Sequence, residues 1–140
     1  MDEVLAKAVI GTMAPYFIVS DVARSLLFYR DLLGFEVIYE TDETRTFFAV
    51  LRRDGAMLFL KAEAGIDPLP NAARHPTFGW DSYSYTPDPD ALAAEFAAKG
   101  AVFSRPLENT PDGLRGFELT DPDGHVLFYG RPLLDEERGA

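Results

Sequence analysis

Residues 116–130 read GFELTDPDGHVLFYG, with one apolar run leading into an Asp-Gly corner and a second apolar run leaving it. This pattern is typical of two antiparallel strands joined by a tight turn. Residues 47–61 read FFAVLRRDGAMLFLK and have the same build. At an offset of 69 residues the two Asp-Gly corners coincide, and Phe48 falls on Phe117. Two hairpins that agree through the turn and both flanks predict an internally duplicated domain.

The sequence upstream of each hairpin repeats the same order of elements. Residues 14–21 predict a strand that ends at a helix-capping aspartate, and residues 81–88 do the same in the second half. Each aspartate is followed by a helical pattern that ends at a glycine, Gly34 in the first half and Gly100 in the second. Each half is therefore predicted to be a βαβββ module. The predicted apolar helix positions are Val22, Leu26, Tyr29, Leu33, Leu92 and Phe96.

The chain has the length of one ordinary domain, with 140 residues of which 47% are hydrophobic. The expected fold class is α+β, with a first module at about residues 13–61 and a second at about 79–131. Residues 62–78 contain three prolines and no clean periodicity, which indicates a linker between the modules. Three smaller predictions are a short helix at residues 2–10, an irregular segment at 104–113 and a frayed tail after Leu134.

The composition argues against several classes of function. With 23 acidic and 13 basic residues, the net charge of -10 argues against nucleic-acid binding, because phosphate contacts need clustered Lys and Arg. No apolar run approaches the ~18 residues of a membrane span, and the acidic N-terminus does not resemble a secretory signal. Zero cysteines exclude disulfides, thiolate metal sites and a cysteine nucleophile. We expect a cytoplasmic protein whose acidic surface either attracts cationic partners or serves only solubility.

A family resemblance is carried by two stretches, APYFIVSDVARSLLFYRDLLGFEV at residues 14–37 and GFELTDPDGHVLFY at residues 116–129. Together with the duplicated βαβββ pattern, they resemble the vicinal oxygen chelate superfamily, which includes glyoxalase I, extradiol dioxygenases, fosfomycin-resistance transferases and bleomycin-resistance proteins. The resemblance implies that the two modules form a cupped eight-stranded mixed sheet around a cavity. In the enzymes of this superfamily, four side chains in the cavity hold one divalent metal ion.

The resemblance places the four metal-ligand positions at Ala14, Asp81, Phe59 and Phe128. Only Asp81 carries a donor atom, whereas a divalent site needs three or four converging donors. We therefore expect no bound metal and no cofactor. The two histidines do not complete a site, because His75 lies in the linker and His125 follows the turn out of phase with Phe128. Both histidines are expected at the surface.

Aromatic residues take the place of metal ligands on the predicted cavity face. Strand alternation places Tyr16 on this face in the first module, and Tyr83 and Tyr85 in the second. Three tyrosines suit a wet, amphipathic pocket, because each hydroxyl needs a partner. In bleomycin-resistance proteins the strand equivalent to 81–88 also carries two aromatic residues, and an aromatic residue stands at the position of Phe48. The candidate ligand-binding residues are Tyr16, Phe48, Phe59, Asp81, Tyr83, Tyr85, Arg115 and Phe128.

Several of these residues have a second interpretation. Phe59 and Phe128 fit core packing slightly better than ligand contact, because phenylalanine is mostly a core residue. Asp81 would anchor a cationic ligand, cap a turn or pair with an arginine. Arg115 is predicted at the cavity rim, and Trp80 equally fits a cover over the interface between the halves.

Two classes of function remain open. The first is a metal-independent homodimer that sequesters a hydrophobic, aromatic and preferably cationic small molecule in a cavity between two chains, as the bleomycin-resistance branch does. The second is a glyoxalase-like lyase or isomerase, or a dioxygenase-related enzyme, with a non-standard site. The first is favoured because the acid and base candidates of the cavity reduce to Asp81 and the tyrosines. Bleomycin itself is not expected, because those proteins carry a tryptophan where this chain has Pro-Asp-Gly at residues 111–113.

Overall fold

The computed structural model describes residues 7–42, 44–77 and 79–139. Within these ranges the chain forms eight strands and four α-helices. The strands are β1 (Tyr16–Ile18), β2 (Glu36–Glu40), β3 (Phe48–Arg53), β4 (Ala56–Lys61), β5 (Ser82–Tyr85), β6 (Phe103–Asn109), β7 (Leu114–Thr120) and β8 (Val126–Pro132). The helices are α1 (Val22–Leu26), which continues as a π-helix over Leu27–Leu32, α2 (Asn71–Arg74), α3 (Pro89–Ala98) and α4 (Asp135–Arg138).

The strands form two four-stranded sheets of the same topology, in the orders β1-β4-β3-β2 and β5-β8-β7-β6. In each sheet the first and last strands of the module pair in parallel, and the other pairs are antiparallel. The parallel pairs align Tyr16 with Phe59 and Tyr83 with Phe128. The predicted α+β class with two βαβββ modules is confirmed, and the eight strands are divided equally between the two mixed sheets.

The long helices begin and end where the sequence predicts. The Asp21 carboxylate accepts the backbone N–H of Arg24 at 3.3 Å, and Asp88 accepts that of Ala91 at 3.0 Å, so each aspartate caps its helix. Gly34 follows the first helix with a φ of 75°, a left-handed conformation that suits glycine. The side chains of the predicted stripe in the first module are buried, namely Val22, Leu26, Tyr29 and Leu33.

One hydrophobic core joins both modules. It contains residues of both long helices and of one side of each sheet, with Leu51 and Leu60 from the first sheet and Phe117 and Leu127 from the second. Because side chains alternate along a strand, the other side of each sheet points away from this shared core. The position of the core therefore leaves one outward face on each sheet.

The second hairpin has one residue more than the first between equivalent paired positions of its two strands. Strands β3 and β4 pair Leu51 with Leu58 across the two-residue turn at residues 54–55, whereas β7 and β8 pair Leu119 with Leu127 across residues 121–125. The predicted equivalence of Phe48 with Phe117 is therefore wrong. By the pairing of each strand with the last strand of its module, Phe48 corresponds to Gly116, and Phe117 lies on the core side of its strand.

Three segments differ from the sequence-based prediction. Residues 104–113, expected to be irregular, lie largely in strand β6, because it pairs with β7 despite two register irregularities. The tail continues strand β8 to Pro132 and forms helix α4. Most of the helix predicted at residues 2–10 lies outside the described residues, and residues 7–10 are not helical. None of the helices in the described ranges is long and apolar enough to cross a membrane.

Candidate functional site

The outward face of the first sheet carries a cluster of four aromatic side chains, the first aromatic face, formed by Tyr16, Tyr39, Phe48 and Phe59. The ring of Tyr16 stacks beside that of Phe59 with a centroid distance of 5.7 Å, because the two residues are paired across β1 and β4. Phe48 lies 6.0 Å from Phe59 and 6.1 Å from Tyr39. Tyr16 is 54% exposed, so this face is open to solvent.

The outward face of the second sheet carries the second aromatic face, formed by Trp80, Tyr83, Tyr85, Glu118 and Phe128. The ring of Phe128 stacks with that of Trp80 at 4.1 Å between centroids and with that of Tyr83 at 5.6 Å. The indole Nε1–H of Trp80 donates to Glu118 at 2.9 Å. Burial and the neighbouring Tyr85 raise the pKa of Tyr83, which keeps its phenol neutral near physiological pH.

Two glycines shape the floor of the second aromatic face. Gly116 and Gly130 are paired across β7 and β8, and the ring of Phe128 lies over them. A Cβ atom at Gly116 would lie 2.4 Å from Phe128 Cζ, and one at Gly130 would lie 2.6 Å from Phe128 Cε2. Phe128 is therefore only 1% exposed and serves as the packed base of the face. Phe59 is half-buried on its own face.

Asp81 accepts hydrogen bonds from backbone N–H groups of the linker and of β8. Its Oδ1 accepts the N–H of Asn71 at 2.8 Å, and its Oδ2 accepts the N–H of Val126 at 2.8 Å. The carboxylate thus joins the start of α2 to the start of β8. Of the three roles predicted for Asp81, these contacts match the capping of a turn, and both oxygens are engaged in them.

Arg115 does not lie on an outward face, so its predicted position at the cavity rim is wrong. It occupies the core side of β7, two residues before Phe117, and its guanidinium reaches back to α3. There it binds both carboxylate oxygens of Asp90 at 2.8 Å and the side-chain oxygen of Asn109 at 2.9 Å. Strand alternation accounts for this position, because residues of one parity in β7 face the helix.

The two aromatic faces do not meet within one chain. In the described part of the chain, no ring contact joins a residue of the first face to a residue of the second. Both faces point away from the shared core, and at the second face Tyr85 is 65% exposed. A cavity walled by both aromatic faces therefore requires a second chain.

The residues present do not fit the divalent metal that the fold implies. The four expected ligand positions hold Ala14, Phe59, Phe128 and Asp81, and only the last has a donor atom. Both oxygens of Asp81 already accept backbone hydrogen bonds. Among the described residues, no group of three or more His, Asp or Glu side chains is arranged to hold a metal ion.

A buried polar network lies between the modules. The Tyr29 hydroxyl donates to Asp121 Oδ2 at 2.7 Å, and His125 Nδ1 donates to the same oxygen at 2.9 Å. Burial opposes ionisation of Asp121, but the hydrogen bonds from His125 and Tyr29 outweigh it and hold the pKa of this carboxyl below its usual range. Burial, together with the charge of Asp121, raises the pKa of Tyr29.

The predicted surface position of His125 is therefore wrong. This side chain is 4% exposed, and its ring stacks on Phe17 at 4.1 Å between centroids. A surface position was predicted because histidine side chains are less often fully buried than apolar ones. His75, in contrast, is exposed as predicted.

Three residues of the aromatic faces were not among the predicted site residues. Trp80 precedes strand β5, so strand alternation did not apply to it. Tyr39 reaches the outward face because of an irregularity in β2 between Val37 and Tyr39 that changes the register. Glu118 is detectable from alternation within β7, but the incorrect equivalence of Phe48 with Phe117 assigned the outward face to the wrong residues.

Residues 10–128 match the Glyoxalase/Bleomycin resistance protein/Dioxygenase superfamily, whereas no curated protein gives a significant match. Among solved structures, TioX from Micromonospora sp. ML1 has a TM-score of 0.69 and 21% identity, covering 88% of this chain and 99% of that chain. The bleomycin-binding protein from Streptomyces verticillus, complexed with copper(II)-bleomycin, has a TM-score of 0.67 and 24% identity, covering 91% and 100%. A superfamily member from Sphaerobacter thermophilus DSM 20745 has a TM-score of 0.62 and 25% identity, covering 87% and 97%.

The likeness to these structures is a likeness of fold, and it agrees with the two βαβββ modules. The family match covers most of the chain, from before β1 into β8. This chain therefore belongs to the glyoxalase/bleomycin resistance protein/dioxygenase superfamily.

Proposed function

We propose that this protein is a metal-independent homodimer that binds a hydrophobic, aromatic and cationic small molecule without converting it. The observation that carries the proposal is the pair of aromatic faces that point away from the shared core. Contiguous exposed aromatic surface on both sheets is typical of a ligand-binding or protein-binding site. In a two-fold dimer, the first aromatic face of one chain would lie opposite the second aromatic face of its partner.

The similar solved structures support binding of a small molecule. The Streptomyces verticillus protein is a bleomycin-binding protein that was solved with its ligand. Its fold is shared over nearly the whole of this chain, but at 24% identity the ligand does not transfer. We therefore propose the mode of binding, an aromatic ligand held between two chains, and leave bleomycin out of the proposal.

The charge of the ligand is inferred from Glu118. Because both oxygens of Asp81 are occupied by backbone N–H groups, Glu118 is the carboxylate that faces the ligand on the second aromatic face. Tryptophan and tyrosine rings attract cations, and a nearby carboxylate adds to this attraction. An aromatic compound with a basic group would stack on Trp80 and Tyr83 and place its charge near Glu118.

The dimer can be tested separately from ligand binding. Light scattering at micromolar concentration should give twice the chain mass of 15.5 kDa. A monomer at this concentration would contradict the arrangement, because each chain would then leave both aromatic faces uncovered. Elemental analysis of protein purified without chelator should find no stoichiometric metal, and one metal ion per chain would contradict the metal-independent assignment.

Ligand binding can be tested by calorimetry against a panel of basic aromatic drugs. Tyr83→Ala and Tyr85→Ala should each weaken binding about tenfold, because each ring contributes on the order of 0.5 to 2 kcal/mol once water is excluded. Val102→Ala is a matched control, since Val102 is exposed and lies on neither aromatic face. Equal affinity for the tyrosine variants and the control would contradict a site at the second aromatic face.

The enzyme interpretation is tested with the same ligand. Mass spectrometry of the compound recovered after prolonged incubation should show it unchanged. Recovery of an altered compound, at a rate abolished by Glu118→Gln, would replace the binding function with a lyase or isomerase that uses this carboxylate as its acid or base.

A further inference from the structure

The two junctions between the modules are related by the internal duplication. At the first junction the loop of residues 121–125 packs against the first module. The rings of Phe17 and His125 stack there, and Tyr29 binds Asp121. Asp123 of this loop also accepts a hydrogen bond from the hydroxyl of Ser20 at 2.6 Å, which attaches the loop to the first module. This junction is filled by an aromatic pair and closed by hydrogen bonds.

The second junction has small residues where the first has the aromatic pair. Strand register relates Tyr16 to Tyr83 and Phe59 to Phe128, so Phe17 corresponds to Ser84 and His125 to Ala56. Both small residues lie on the core side of their strands, as Phe17 and His125 do. Two stacked rings are therefore replaced by a hydroxymethyl group and a methyl group.

A crevice of about 620 Å³ lies at this second junction, within the size range of small-molecule pockets. Ala56 and Ser84 line its walls, where the equivalent residues of the first junction are larger. Apolar side chains of the core, including Phe96 and Leu127, form its floor. Tyr83 and Tyr85 of strand β5 also line this inter-module crevice, although their rings lie on the second aromatic face. The crevice therefore borders the second aromatic face and extends to the core side of the strand.

Polar groups in the crevice are free to bind a ligand. The hydroxyls of Ser82 and Ser84 make no hydrogen bond within the described ranges, and neither does the hydroxyl of Tyr129, although that residue is almost fully buried. Burial raises the pKa of Tyr129, so its phenol stays neutral and is able to donate. Hydrogen-bonding groups that line a largely apolar cavity give a ligand its orientation.

The open side of the crevice is acidic. Asp54 and Asp88 line it and are exposed, and Glu95 pairs with the guanidinium of Arg53 at 2.7 Å. Arg53 also pairs with Asp54 at 3.7 Å, so the charged groups that line the crevice are one guanidinium and three carboxylates, and the mouth keeps a net negative charge. A positively charged group is therefore favoured at the mouth, and an aromatic ring is favoured in the apolar interior.

We propose that the inter-module crevice is a second small-molecule site, for a flat aromatic amine whose ring occupies the space between Ala56 and Ser84. The ring replaces the stacked pair that fills the other junction, and the ammonium group lies near Asp54 and Asp88. Hydrogen bonds from Ser82, Ser84 or Tyr129 meet polar atoms at the edge of the ring. This site does not depend on the proposed dimer.

Titration with tryptamine, and separately with indole, followed by the backbone amide resonances of the protein, tests this site. Tryptamine should cause saturable shifts at Ala56 and Ser84. Ser84→Phe should weaken this binding at least tenfold, while the matched control Ser104→Phe, on exposed β6 surface, should not. Ala56→Leu should have the same effect as Ser84→Phe, with Ala98→Leu as its exposed control, so the site is tested even when one variant does not fold.

The charge at the mouth is tested by comparing the two probes. Wild-type protein should bind tryptamine more tightly than indole by about fivefold or more, and Asp54→Asn should reduce this preference. Asparagine suits this position because Asp54 has a φ of 51°. Shifts confined to Trp80 and Phe128, which do not line the crevice, or unchanged binding in both crevice-filling variants, would overturn the proposal while leaving the function proposed for the aromatic faces intact.

Discussion

The two modules share one βαβββ pattern but differ at the hairpin turn. In the second module the loop of residues 121–125 buries Asp121 and His125 against the first module. In the first module the two-residue turn leaves Asp54 with a side chain that is 90% exposed. The hairpin with one extra residue therefore packs against the other module, whereas the shorter hairpin leaves its junction open.

The outward faces differ in the same way. Where the first aromatic face has Val50 and Phe48, the second has Glu118 and Gly116. The glycine makes room for Phe128 to lie flat, and the glutamate accepts the Trp80 N–H. At these two positions the first face therefore carries two apolar side chains, whereas the second carries a carboxylate and a glycine beneath the Phe128 ring. Differences at a few positions therefore give the two modules different outward faces.

The largest effect is expected for Asp121→Ala, which removes the acceptor of four hydrogen bonds at the filled junction. Truncating one member of a buried charged network costs about 3–5 kcal/mol in the free energy of unfolding. Urea denaturation measures this loss. Asp54→Asn at the open junction is the matched control, with an expected change within about 0.5 kcal/mol. Similar small losses for both variants would contradict the asymmetry between the junctions.

A smaller loss is expected for Gly116→Ala on the second aromatic face. The added Cβ would lie 2.4 Å from both Phe128 Cζ and the Tyr129 carbonyl oxygen, so the ring or the strand must move. Overpacking of this kind costs about 1–3 kcal/mol. Gly79→Ala provides the control, because nothing lies within 4 Å of the added atom and its φ is not left-handed. Thermal unfolding should separate the two variants, and equal melting temperatures would show that Phe128 does not need the glycine floor.

Glu118→Gln should change ligand affinity without changing stability. Loss of one carboxylate near the ligand charge is expected to weaken binding of a cationic aromatic compound about fivefold, or about 1 kcal/mol. The remaining affinity should depend less on salt, because screening acts on the charge that was removed. Calorimetry at two ionic strengths measures both effects. Glu63→Gln, which changes an exposed acid of the linker, should leave both unchanged, and an equal effect of the two variants would mean that only net charge matters.

The smallest effect is the loss of stability that protonation of Asp121 causes in acid. Its pKa is lower in the folded chain than in the unfolded chain, so the folded state holds the proton less tightly. The resulting stabilisation is present above the unfolded pKa near 3.8 and is lost as the pH falls through the folded pKa. Unfolding measured between pH 6 and 2 should show a larger loss in wild type and in Asp54→Asn than in Asp121→Asn, which keeps only the part due to other carboxyl groups with lowered pKa, such as Asp90 and Glu95. The same acid dependence in all three would exclude Asp121 as its source.

Much of the fold was readable because it depends on local patterns. The stripe from Val22 to Leu33, the capping residues Asp21 and Asp88, and the two Asp-Gly corners each specify an element through neighbours in sequence. The stacking partners Tyr16 and Phe59, and Tyr83 and Phe128, follow from alternation once the strands are known. The equivalence of Phe48 with Phe117 was wrong, because one residue added at a turn changes the register without changing the pattern.

The sequence by itself determined the duplicated βαβββ modules, the aromatic character of the sheet faces and the lack of donor atoms at three of the four metal positions. These follow from residue identity and from periods of two and 3.6 residues. Only the tertiary structure decided that Asp81 is held by backbone N–H groups, that His125 is buried and that Arg115 binds α3. It also decided that both aromatic faces point away from one core and that a crevice lies at one junction, because these depend on contacts between residues far apart in the chain.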